Sequence, residues 1–278
     1  MGAHDPVTAL TIHVSYCWNR GCGMRRYFLL PSLLVVSLVI DQASAETLVQ
    51  WTTEQRLYVW LKVNQTEAQR FLPAQWEVTP APSGPTRGAN FLVGFLDQTL
   101  TLDGQGKPMG SGTGRGVVFG APAKNKDTGE AGFFVTRIFG SGGAFMPPGA
   151  YKNTLPATVR FERSQTGNDG EPPATLEWWS VKPEGGGSLE VRVQYRAASP
   201  QRVKAEVKVY SSVEPTFFRI YRVEQGLDVA RSIPDGVDRV QVFQLRVAVP
   251  ELAKLFDGTE QVVGVLALPF YLRNVYLP

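Results

Sequence analysis

The chain has 278 residues, with 28 Lys and Arg against 25 Asp and Glu, and 43% of it is hydrophobic. That balance leaves no basic footprint for nucleic acid, and the length suits one large domain or two small ones able to bury a core without staples. Cys17, Cys22, His4 and His13 are its only cysteines and histidines, so from Glu46 onward thiol nucleophiles, Ser-His-Asp triads, Cys/His zinc sites and disulfides are excluded.

The first readable element is an export signal. Arg25 and Arg26 precede an apolar run, Tyr27 to Ile40, which Ala43-Ser44-Ala45 closes just before Glu46. These are the charged region, apolar region and small-x-small cut site of a secretory leader. The run is shorter than the ~20 apolar residues a spanning helix needs, and Pro31 interrupts it. The expectation is a signal peptide over 24–45, a periplasmic or secreted product, and no membrane span after cleavage. Residues 1–23 have no place in such a signal and read as an over-called start, with translation beginning at Met24. Removal of Arg20, Arg25, Arg26, Asp5 and Asp41 leaves the remaining charge nearly balanced. Residues 46–278 then form a single domain.

Period-2 alternation dominates that domain. Leu57–Val63 reads as a strand. Asn64-Gln65-Thr66-Glu67 then resembles a capping box, with Asn64 as N-cap and Glu67 reaching back, and Pro73 ends the helix. Asn64 also opens a glycosylation sequon, which the capping role explains equally well. A loop over 79–88 leads to a strand over 90–97. The segment Gly110–Gly116, "GSGTGRG", is followed by the strand-like Val117-Val118-Phe119 and lacks the Gly-Lys-Ser/Thr entry to a helix, so it reads as a hairpin tip. Strands follow at 133–139, 157–163, 175–182, 188–196, 203–210, 216–223, 239–247 and 261–268, separated by Gly, Pro, Asn and Asp clusters. In Trp178-Trp179 alternation sends one ring inward and one outward. Pro250 opens a second short helix, "PELAKLF", which Asp257-Gly258 stops. Asn168–Glu171 is too sparse in carboxylates for calcium. Many strands with short turns and two short helices indicate a mainly β, antiparallel sandwich or barrel.

The stretch Phe145–Leu155, "FMPPGAYKNTL", lies between two strong strands. A lysine held in an apolar cavity becomes a nucleophilic amine that condenses with a ketone. Lys152, beside Tyr151, is the candidate. A solvated loop lysine is the commoner fate of such a residue.

The chain resembles the acetoacetate decarboxylase-like superfamily. An early strand and short helix precede "FLPAQWEV" (Phe71–Val78), and a strand then ends in "VGFLD" (Val93–Asp97). "GAYKN" (Gly149–Asn153) is similar to the family's Ala-Tyr-Pro-Lys-Lys segment, and a late helix precedes closing strands ending in "YLRNVYLP". The resemblance covers most of Arg56–Pro278. It implies a cone-shaped antiparallel β-barrel around an apolar cavity, a homo-oligomer, no cofactor or metal, and a small keto acid as substrate. Lys152 would form the Schiff base, Arg56 would hold the substrate carboxylate, and Tyr151 would line the pocket. Lys152 directly follows Tyr151, and Asn153 takes the nucleophile's place in an ungapped match. "QTLTLDGQGKPM" carries no glutamate where the family has one.

Two readings follow: an exported decarboxylase-like lyase, and a non-catalytic exported small-ligand-binding protein on the same scaffold. A partner-binding structural β-protein, a third, would lack a cavity.

Overall fold

The computed structural model describes residues 46–142 and 150–278. The expected leader over 24–45, the segment 1–23, and Phe145 to Gly149 lie outside the described residues.

The strands are β1 (Thr47–Lys62), β2 (Trp76–Val78), β3 (Phe91–Asp103), β4 (Gly114–Asn125), β5 (Ala131–Gly142), β6 (Thr154–Thr166) and β7 (Ala174–Pro183). They continue as β8 (Ser188–Arg196), β9 (Gln201–Ser211), β10 (Phe218–Ser232), β11 (Val237–Asp238), β12 (Val240–Ala248) and β13 (Gln261–Leu277). One helix, α1 (Gln65–Gln69), follows β1. Its cap forms as the sequence implies: Thr66 and Glu67 donate their N–H groups to the Asn64 side chain at 3.0 and 3.3 Å. The Glu67 carboxylate turns to Arg70 at 3.3 Å instead of reaching back. The expected second helix is a single 3₁₀ turn, Pro250–Leu252. Val249 supplies no side-chain cap there, unlike Asn64 before α1, and the turn serves to bury Leu252 and Leu255.

The pairings close on themselves in the order β1-β3-β4-β5-β9-β10-β13, with β13 returning to β1. Most neighbours are antiparallel, as expected. The exceptions meet at β5, whose second edge is shared: Phe133–Val135 pair in parallel with β9, and Ile138–Gly140 pair in parallel with β6. From β6 an antiparallel limb, β6-β7-β8-β12, leaves the ring and folds against it. Alternation then gives each ring strand two duties. On β1, Leu57, Val59 and Leu61 are fully buried in the main core, while Arg56, Tyr58 and Trp60 face a cavity inside the ring. The main core lies between the ring's outer face and the limb. There Trp179 packs against Phe95 and Phe161, with ring centroids 5.6 and 4.2 Å away, while Trp178 points outward. Among the described residues no helix is long and apolar enough to cross a membrane.

Candidate functional site

The cavity inside the ring has a volume of about 330 Å³, at the lower end of the range for small-molecule sites. Most of its wall is apolar: Trp60, Leu92, Leu96, Val118, Phe133, Val135 and Ile138 contribute. Gly94 keeps space beside this wall, since a Cβ there would meet Val118 at 3.0 Å and Tyr58 at 3.1 Å. The polar wall consists of Arg56, Arg219 and Arg273, the tyrosines 58, 151, 221 and 271, and Gln50, Gln98 and Gln225.

This polar wall is organised from beneath by Glu54, which is fully buried. One carboxylate oxygen accepts from Arg56 Nε at 2.8 Å and is ion-paired with its Nη2 at 2.6 Å. The other accepts from Arg273 Nη2 at 2.9 Å and from the Thr52 hydroxyl at 2.6 Å. Burial alone would raise the Glu54 carboxyl, but Arg273, Arg56 and Thr52 outweigh it and hold the group below the usual carboxylate range. Two buried cations share one buried anion, an arrangement that requires both pairs to be intact.

Arg56 therefore lines the cavity, as its place in the sequence suggested, but it is ion-paired with Glu54, and only its buried Nη2 makes no hydrogen bond. Beyond Glu54, its Nη1 donates to the Tyr58 hydroxyl, and the guanidinium lies 3.6 Å from the Tyr271 ring centroid. Tyr151 is buried in the wall and donates to the Tyr221 hydroxyl at 2.6 Å. Burial, reinforced by Tyr221, holds its phenol well above the ordinary tyrosine value.

Lys152 is placed differently. Its backbone is left-handed, with φ of 55°, so the chain turns between Tyr151 and Asn153. The Tyr151 ring and the Asn153 side chain go inward, where Asn153 donates to the Val135 carbonyl at 2.6 Å. Lys152 points away: its side chain is 62% exposed, and Nζ pairs with Glu214 at 3.0 Å. The left-handed turn at Lys152 thus carries the amine of "GAYKN" away from the cavity. Among the described residues the cavity wall contains no lysine.

Sequence reasoning missed Arg219, Arg273, Glu54 and the glutamines. The signal available was alternation of polar residues over Gln50, Thr52, Glu54 and Arg56, all of them buried.

No family model and no curated protein matches the chain. Among solved structures, the enduracididine biosynthesis enzyme MppR complexed with pyruvate superposes with a TM-score of 0.53 at 13% identity, over 85% of this chain and 91% of that one. MppR with the condensation product of pyruvate and imidazole 4-carboxaldehyde gives 0.52 at 13%, over 85% and 90%. An acetoacetate decarboxylase-like enzyme from Sphingomonas wittichii RW1 gives 0.47 at 13%, over 91% and 99%. The chain has the acetoacetate decarboxylase-like fold.

Proposed function

We propose that the protein is an exported small-ligand-binding protein, and that its ring of strands is the cone-shaped barrel of the acetoacetate decarboxylase-like fold. The ligand is a small, mostly apolar molecule carrying a carboxylate. One observation carries this reading: an apolar cavity bears three arginines but only one buried carboxylate behind them, and no lysine among the described lining residues. The similar fold of MppR holds pyruvate, a small keto acid, which supports a ligand of this class. Arg56 and Tyr151 contribute to the wall that contacts it.

Binding is favoured over Schiff-base catalysis. Imine formation needs a neutral amine in a dry setting, whereas the Lys152 side chain is exposed and ion-paired with Glu214. Borohydride reduction in the presence of acetoacetate, followed by peptide mass spectrometry, tests this choice. The expected result is no adduct on Lys152, and an adduct there restores the lyase reading. Native mass spectrometry of the gently purified protein, compared with its denatured mass, checks for a retained ligand. Export predicts that the chain recovered from its own host begins at Glu46, which intact mass determination decides.

A further inference from the structure

Resting on the reading of the cavity as a ligand site, the geometry points to Arg219, assisted by Arg273 and the Tyr221 hydroxyl, as the anchor for the carboxylate of a ligand with an apolar body. The argument is an account of donors and charges. Glu54 is fully occupied by Arg56, Arg273 and Thr52. Arg56 is already ion-paired with Glu54 and gives Nη1 to Tyr58, although its buried Nη2 makes no hydrogen bond. Arg219 has no carboxylate partner among the described residues: its Nη1 meets only the neutral Gln50 Oε1 at 3.2 Å, and its buried Nε has no partner at all. A partly buried guanidinium without an anion is left short of partners, and its fork matches a carboxylate in bidentate geometry.

The neighbouring donors converge on the same place. Arg273 gives Nη2 to Glu54 and Nε to Thr52, at 3.4 Å, which leaves Nη1 without a protein partner among the described residues. Its guanidinium lies 4.6 Å from the Tyr221 ring centroid. Tyr221 accepts the Tyr151 proton, so its own O–H is free to donate. Arg219 and Tyr221 stand two residues apart on β10, and both line the cavity together with Arg273 and Tyr151. Away from that spot the polar wall offers neutral glutamines, and the rest is Trp60, Leu92, Leu96, Val118 and Phe133. Three arginines against the one carboxylate of Glu54 leave this wall positively charged, which an anionic group meets. A neutral ligand is therefore discriminated against.

The test titrates the mature protein with 3-phenylpropanoate and with the isosteric 3-phenylpropanamide, following tryptophan fluorescence and heat. Hydrogen bonds to a charged partner predict an acid-over-amide preference of roughly 10- to 100-fold. Arg219→Gln lowers that preference by about tenfold, through a loss of acid affinity that exceeds any loss of amide affinity, and Arg273 and Tyr221 sustain the remainder. Arg219→Lys, which keeps the charge but loses the fork, shows an intermediate preference. If Arg219→Gln keeps the full acid preference, or the wild type shows none, the anchor is wrong while the cavity reading stands. If the wild type binds neither compound, the cavity reading fails and the anchor with it. Should the glutamine variant not fold, the wild-type comparison and the lysine variant decide between the same outcomes.

Discussion

Glu54→Gln is the perturbation that reaches deepest into this design. The side chain keeps its shape but loses the charge that two buried guanidiniums share, at 2.6 Å from Arg56 and 2.9 Å from Arg273. Breaking one buried ion pair costs about 3–5 kcal/mol, because the surviving charge stays buried without compensation. Here two cations are stranded, so the upper part of that range applies. In a chain of this size 1 kcal/mol shifts the melting temperature by roughly 2–4 °C, so the variant melts roughly 10–20 °C below the wild type. Circular dichroism melts at neutral pH measure this. The pH dependence supplies a second readout. The Glu54 carboxyl is held below its usual value in the fold, so its contribution is present above about pH 4.3 and is lost as pH falls through the folded value. The wild type therefore loses stability below about pH 4.3 more steeply than Glu54→Gln does. Removing one surplus cation, as in Glu54→Gln with Arg273→Gln, recovers part of the loss. A single variant that melts within a degree or so of the wild type would refute the account of Glu54 as the organiser of the polar wall.

Three further outcomes are expected. Lys152→Ala changes stability by less than about 1 kcal/mol, as befits an exposed ion pair, and leaves 3-phenylpropanoate binding unchanged; urea titration and calorimetry check both. Trp179→Ala destabilises by about 3–5 kcal/mol, because the ring is fully buried between Phe95 and Phe161, and the urea midpoint reports it. Burial holds the Tyr151 and Tyr271 phenols above their ordinary value, so the unfolded chain ionises first and stability is lost as pH rises past about 10; tyrosinate absorbance recorded alongside circular dichroism shows these two groups titrating only as the fold opens.

Much of the β architecture was legible because alternation of apolar and polar residues is how a one-faced strand is written. Leu57–Val63 announced β1 for that reason. Its first ten residues, Thr47 to Arg56, stayed hidden, since their inward row is polar and buried, and hydropathy reads such a row as solvent-facing. The same blindness concealed the candidate site: Glu54 and Arg273 are far apart in the chain and meet only because β1 and β13 pair. The helix at Pro250 failed for a different reason: Val249 gives its first turn no capping side chain, and local propensity lost to the burial of Leu252 and Leu255. Lys152 was chosen for its neighbours in sequence. Its direction depended on a left-handed turn that no periodicity encodes.

The double duty of the ring strands separates two kinds of change. Residues at alternate positions of one strand answer to different demands, Leu57, Val59 and Leu61 to cohesion and Arg56, Tyr58 and Trp60 to the guest. Rewriting the second set redraws what the chamber accepts while leaving the aliphatic seam intact, so taste for a new occupant and heat tolerance can drift apart, one pleat at a time.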